Sequence, residues 1–245
     1  MILLLDIGNT RMKWALWERE FREVEALPHE NDPLEKFRRR DWPRPEQVWI
    51  ACVPSLREEA RWREAVQNRC GVEPHIVISP AEWRGLKNVY AQPEKLGVDR
   101  WLAMAALWSE RWAPFCVAGA GTALTFDRVD ANGRHIGGLI APGLGSAQRA
   151  LLNVTVTPAD GGAAPYHDAL GQSSEEAIRQ GAWFAAQGVI ERAVRAPGLV
   201  EREQKFITGG DAEALLPALG AGWTHRPNLV LEGLLALALA LERGA

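Results

Sequence analysis

Cysteine is scarce in this 245-residue chain. Cys52, Cys70 and Cys116 form no C-x-x-C pair and leave one thiol over, which excludes a disulfide scaffold and suits a reducing cytoplasm. An excess of one charge is also lacking: 28 Lys+Arg stand against 31 Asp+Glu, a formal charge of −3. A nucleic acid or an anionic membrane would therefore need a local basic patch, and neither is expected as a partner. Long apolar runs are missing as well. Ile2 to Leu5 meets Asp6 at once, short of the roughly 7 to 15 apolar residues of a signal peptide. Leu229 to Leu241 is broken by Glu232 and falls below the ~18 residues of a membrane span. We expect a buried helix there, no secretion signal, and a cytoplasmic protein.

Several catalytic signatures are absent too. No G-x-x-x-x-G-K-[ST] occurs, and Gly143-Leu-Gly145-Ser-Ala-Gln148 lacks the third glycine and the setting of a dinucleotide fold. Without G-x-S-x-G or H-E-x-x-H, and with His29, His75, His135, His167 and His225 isolated, hydrolase and zinc chemistry have no footing. The basic run Arg38 to Arg40 is flanked by Glu35 and Asp41 and reads as a solvated face.

What is present is the composition of a packed globular protein, with 47% hydrophobic and 24% charged residues. Its 11 tryptophans, Trp14, Trp49, Trp62, Trp101, Trp112, Trp183 and Trp223 among them, are spread along the chain as core or interface fillers would be. Strands are predicted at Ile2 to Leu5, Met12 to Trp17, Val48 to Val53 and Pro74 to Ile78, with a short helix in the polar stretch Pro28 to Pro45 and a helix over Ser55 to Cys70. Gly97 to Trp112 reads as a helix with Asp99 in its first turn, ended by Pro114. Strands follow at Phe115 to Ala118, Leu124 to Val129 and His135 to Ile140, with an Asn132-Gly133 turn, and a last one at Lys205 to Ile207. This is an α/β rhythm.

Two strand-turn-strand units rhyme: Leu3 to Thr10 (LLLDIGNT) and Cys116 to Ala123 (CVAGAGTA). The chain is therefore expected to be duplicated, as residues 1–112 and 113–245 with a ligand cleft between them. Gly8 and Asn9 suit a bend that wants φ > 0. A tip made of Gly8, Asn9 and Thr10 offers backbone N–H groups to an anionic phosphate. Lys13 can neutralise phosphate oxygens and Asp6 can hold Mg²⁺, the two duties of a phosphoryl-transfer site. Gly121-Thr122-Ala123 offers a second tip, and Thr208-Gly209-Gly210 a third place where backbone can approach a nucleotide. Asp99, followed by Arg100, is either a first-turn carboxylate that complements the helix dipole or a base that orients a substrate hydroxyl.

These residues resemble a known family, the type III pantothenate kinases of the acetate and sugar kinase, actin and heat-shock ATPase superfamily. Asp6-Ile7-Gly8-Asn9-Thr10-Arg11-Met12-Lys13 resembles its first phosphate motif, D-x-G-N-[ST]-x-x-K. Asn88 to Trp101, with Tyr90, Pro93, Leu96, Gly97, Val98, Asp99 and Arg100, is similar to its N-x-Y-x-x-P-x-x-L-G-x-D-R segment. Gly121-Thr122-Ala123 with Thr125 and Asp127, then Gly137 to Leu144, resembles the second phosphate hairpin, and Thr208-Gly209-Gly210 the adenosine motif.

The resemblance implies two ribonuclease H-like, actin-like domains in a homodimer that uses ATP to phosphorylate pantothenate, the first step of coenzyme A synthesis. It implies ATP contacts from Asp6 to Lys13 and from Thr122, with Asp6 assisting Mg²⁺. It further implies a pantothenate pocket from Tyr90 and Gly97 to Arg100, with Arg100 pairing to the substrate carboxylate and Asp99 as base. The family's K⁺ or NH₄⁺ site uses an aspartate where this chain has Gly119, so no residue is assigned to it and K⁺ dependence is lost or rebuilt. A threonine that contacts pantothenate in the family appears as Ser174, ahead of Ala177-Ile178-Arg-Gln-Gly181. The alternatives are a kinase for another small hydroxy acid, or a transcriptional regulator or interaction protein on the same scaffold. The set Asp6, Lys13, Asp99 and Arg100 favours the enzyme, because a pure binding protein does not need it.

Overall fold

The computed structural model describes residues 1–52, 56–153, 169–196 and 203–243, apart from the side chains of Asn31 and Leu56. Val53, Ser55 and His167 of the sequence reading lie outside these residues. The first half begins with β1 (Ile2–Ile7), β2 (Arg11–Trp17), β3 (Phe21–Pro28), α1 (Pro33–Arg39), β4 (Gln47–Cys52), α2 (Leu56–Cys70) and β5 (His75–Ile76). Two short strands, β6 (Glu82–Trp83) and β7 (Leu86–Lys87), precede α3 (Val98–Ser109). The same plan then recurs in β8 (Phe115–Ala120), β9 (Ala123–Val129), β10 (His135–Pro142), α4 (Leu144–Leu152), α5 (Ser174–Val194), β11 (Gln204–Thr208), α6 (Ala212–Leu219), β12 (Trp223–His225) and α7 (Leu229–Glu242).

Duplication is written in the sheets. One has the order β3-β2-β1-β4-β5 and the other β10-β9-β8-β11-β12. In both, the first three strands pair antiparallel and the last two run parallel to the first. Contacts divide the chain into Met1–Arg84 with Tyr90–Glu110 and Leu229–Ala245, and Gly85–Val89 with Arg111–Asn228. Helix α7, expected in a second half beginning at 113, therefore belongs with the first unit. An ideal Cβ on Gly233 would lie 2.2 Å from the Leu102 carbonyl oxygen, an approach between α7 and α3 that only glycine permits.

In the first unit, strand alternation decides the faces. Leu3, Leu5 and Ile7 of β1, with Met12, Trp14 and Leu16 of β2, pack against Phe37 of α1 and Trp62 and Val66 of α2. The opposite parity, Ile2, Leu4 and Ala15, packs against Val98 and Leu102 of α3 and Leu231, Leu234, Leu235 and Ala238 of α7. Burial on both faces is why Ile2 to Leu5 reads as an unbroken apolar run. Asp6 and Lys13 share the parity of Leu4 and Ala15, so the sheet delivers both to the α3 and α7 face.

Several predicted bounds move. Strand β3 carries no apolar signal because it is an exposed edge rich in Glu and Arg, a composition that discourages further pairing. Helix α3 stops at Ser109, before a left-handed Arg111 and a cis Ala113–Pro114 bond, so Trp112 is exposed. Gly8 and Asn9 occupy the predicted bend, yet neither has positive φ. Gly8 is instead held close, its N–H donating to the Arg11 carbonyl at 3.1 Å. Arg40 lies over the Trp14 and Trp42 rings and pairs with Glu23, and Arg39 pairs with Glu35, so the basic run is spent on its own surface.

In the second unit Cys116, Ala118, Phe126 and Ile207 pack against Trp183, Ala186 and Ile190 of α5 and Leu215 of α6. Arg128 is buried with Glu203 at 2.6 Å and donates to the Val194 carbonyl at 2.9 Å, so the guanidinium satisfies the carbonyl end of α5. His135, which looked isolated in sequence, is buried against Asp127 at 2.9 Å. No helix of the described residues is long and apolar enough to cross a membrane.

Candidate active site

Register makes the first part of the site. Asp6 of β1 stands directly opposite Lys13 of β2. Both are partly buried on the face that receives α3, whose first turn carries Asp99. Burial first, and the charge of Asp99 second, push the Asp6 carboxyl up to about 7 against the pull of Lys13. Burial also lowers the Lys13 ammonium, opposed by the charges of Asp6 and Glu232. Two carboxylates and one lysine are thus gathered where the strand ends meet the start of a helix. A pair of acids that resist ionising together suits a site that receives a dication, and Mg²⁺ needs only one or two carboxylates when phosphates supply other ligands. No cluster of three or more His, Cys, Asp or Glu able to hold a metal alone occurs among the described residues.

The rest of the predicted substrate segment lies beside this group. Arg100 is buried and donates through a guanidinium N–H to the Tyr90 hydroxyl at 3.0 Å, with its charge 5.8 Å from the ring centre. Ser79 donates to the Leu96 carbonyl at 2.8 Å and ties down the chain just before Gly97. Asn9, Thr10 and Arg11 are exposed at the bend between β1 and β2, while Ile7 and Met12 point into the α1 and α2 core. The last two serve packing, and only their backbone is available to a ligand.

Within the second unit, Gly121, Thr122 and Ala123 form the bend between β8 and β9. The Thr122 carbonyl accepts from the Gly143 N–H at 3.1 Å and from the Ser146 hydroxyl at 2.7 Å, which fixes the tip against the start of α4. Thr208, Gly209 and Gly210 end β11. Gly209 has φ +103°, and an ideal Cβ there would lie 2.1 Å from the Ala120 carbonyl oxygen, so position 209 admits no side chain. Asp211 N–H donates to the same carbonyl at 3.0 Å, which docks the third glycine turn on the strand that leads into the second. Ser174 is exposed in the first turn of α5. At Gly119 a Cβ would lie 2.5 Å from Thr125 Oγ1, so the threonine hydroxyl fills the room an aspartate side chain would enter by.

A family model, type III pantothenate kinase, matches residues 2–196 of this chain. The chain belongs to the type III pantothenate kinase family. Among similar relatives, the type III pantothenate kinase of Nitrosococcus oceani is 32% identical, over 97% of this chain and 94% of its own. That of Alcanivorax borkumensis is 35% identical, over 96% of this chain and 97% of its own. Among solved structures, a Baf family transcriptional activator from Campylobacter jejuni superposes with a TM-score of 0.66 at 19% identity, covering 98% of this chain and 99% of that one. An activator of 2-hydroxyisocaproyl-CoA dehydratase from Clostridium difficile, with bound ADPNP, gives 0.54 at 13% identity, covering 99% and 96%. These two share the fold.

Sequence reasoning about this kinase missed Glu232 and Ser146. Glu232 acts on Lys13 from α7, and its only sequence signal is that it interrupts an otherwise apolar helix. Ser146 sat in a glycine-containing stretch read only as a failed dinucleotide fingerprint.

Proposed function

We propose that this chain transfers the γ-phosphoryl group of ATP to the 4′-hydroxyl of pantothenate, the first step of coenzyme A synthesis. The observation that carries this reading is the convergence of Asp6, Lys13 and Asp99 at the end of β1, in a member of the type III pantothenate kinase family. Asn9, Thr10 and the backbone of the first bend hold ATP phosphates, with Lys13 as their counter-charge. Thr122 contacts ATP from the second bend, and Thr208 to Gly210 lie against the adenosine. Asp6 would hold Mg²⁺, which would neutralise charge on the phosphates. Asp99 receives the proton of the pantothenate hydroxyl as its oxygen bonds to the γ-phosphorus and the bond to the ADP oxygen breaks. Arg100, held by Tyr90, pairs with the pantothenate carboxylate, and Ser174 supplies a hydroxyl to the same substrate. A coupled assay with ATP, Mg²⁺ and pantothenate against a panel of other hydroxy acids tests the assignment. Turnover on another acid with none on pantothenate overturns it.

Two finer features belong to the same reading. A homodimer is supported by β10, which exposes Ile136 and Ile140. Sedimentation velocity is expected to give twice the 27.0 kDa chain mass, and a single-chain species at assay concentration contradicts it. The monovalent-cation site does not fit, because Gly119 offers no carboxylate and Thr125 stands in its place. Stimulation by K⁺ is expected to be weaker than in a Gly119→Asp, Thr125→Ala double variant. Strong saturable activation of the natural chain in a K⁺ titration counts against this.

A further inference from the structure

Gly97 stands at the N-cap of α3 with φ −52° and ψ 129°, a conformation open to any L residue. The backbone does not ask for glycine there. Asp99 does: an ideal Cβ at position 97 would lie 2.7 Å from Asp99 Oδ1, whereas the next nearest atom, Arg100 Cδ, is at 3.8 Å. The Asp99 carboxylate is folded back over the start of its own helix, into the space a methyl group would occupy. We infer that Gly97 is a positioning residue for phosphoryl transfer, its missing side chain being the room in which the Asp99 carboxylate is held.

This inference rests on the reading of Asp99 as base, and deepens it. A side chain at 97 drives Asp99 to another rotamer. The carboxylate then leaves hydrogen-bond reach of the substrate hydroxyl, and a displacement of about 1 Å there costs on the order of 100-fold in rate. Two rival roles for the glycine predict other outcomes. Backbone strain would lower stability whatever residue stands at 99. Close approach of pantothenate alone would raise its KM and leave kcat in place.

The test is a double-mutant cycle on the full chain with Gly97→Ala, Asp99→Ala and both, following kcat, both KM values and thermal melting. Gly97→Ala is expected to lower kcat about 10- to 100-fold with KM for ATP within twofold. In the Asp99→Ala background the same methyl is expected to leave the melting temperature unchanged. If Gly97→Ala melts early, Asp99→Ala in the same chain must restore the melting temperature, and failure to do so overturns the inference. A Gly97→Ala variant within twofold of natural kcat, or one that raises only the pantothenate KM, overturns it as well. Asp99→Asn separates the two levels. If that variant turns over normally, the base assignment falls and this inference with it. If it is inert while Gly97→Ala is active, only the role of Gly97 falls.

Discussion

Asp99→Asn is expected to lower phosphorylation of pantothenate by at least about 100-fold, the ordinary scale for losing a positioned base, while the protein melts as before. Asparagine has the same shape, so the space above Gly97 stays filled and the helix start keeps a polar side chain. What it loses is the ability to take a proton. The variant also removes one of the two causes that push up the Asp6 carboxyl, so Asp6 ionises more readily than before. A loss of turnover therefore cannot be ascribed to a weakened metal ligand at Asp6. Single-turnover measurements with saturating ATP and Mg²⁺ check this, and turnover within about threefold of the natural chain would remove Asp99 from the mechanism.

Asp6→Asn is expected to be inert and, above neutral pH, more stable than the natural chain when metal and nucleotide are absent. The sign follows from proton binding. Unfolded, the Asp6 carboxyl gives up its proton near its ordinary value of 3.8, while in the fold it keeps it up to about 7. Across that window the unfolded chain binds fewer protons, so Asp6 makes the protein less stable as pH rises. The full penalty is present above pH 7 and none of it below about pH 4. Taken alone, a shift of that size sets a ceiling of about 4 kcal/mol. Lys13 loses a counter-charge in the variant, so the net gain is smaller, on the order of 1–3 kcal/mol. Thermal melts of the two proteins in EDTA should coincide near pH 4 and separate by pH 8. A variant that melts lower at pH 8 would mean that the pairing with Lys13 outweighs burial. The natural carboxylate costs stability because burial first, and Asp99 beside it second, oppose its charge.

Much of the fold was legible because its signals are local. The run from Ile2 to Leu5, the Asn132-Gly133 turn and the rhyme between Leu3 to Thr10 and Cys116 to Ala123 foretold both sheets. Strand β3 was not legible, since an exposed edge has no apolar periodicity to read. The shortness of β5 and the end of α3 at Ser109, short of the predicted Trp112, carry no local signal of their own. The boundary at 113 was drawn from motif spacing, and spacing cannot show that α7 packs against α3.

The chemistry divides in the same way. The proposed carriers of the chemistry, Asp6, Lys13, Asp99 and Arg100, could be named from the sequence by itself, because they stand in local motifs that resemble those of the type III pantothenate kinases. Their proximity was decided only in three dimensions. Strand parity turns Asp6 and Lys13 to the face that α3 covers, Gly97 leaves room for one carboxylate, and α7 brings Glu232 from the far end of the chain towards Lys13. Each is a packing relation between distant segments. It depends on the volumes and directions of many side chains together, and no short stretch of sequence encodes that.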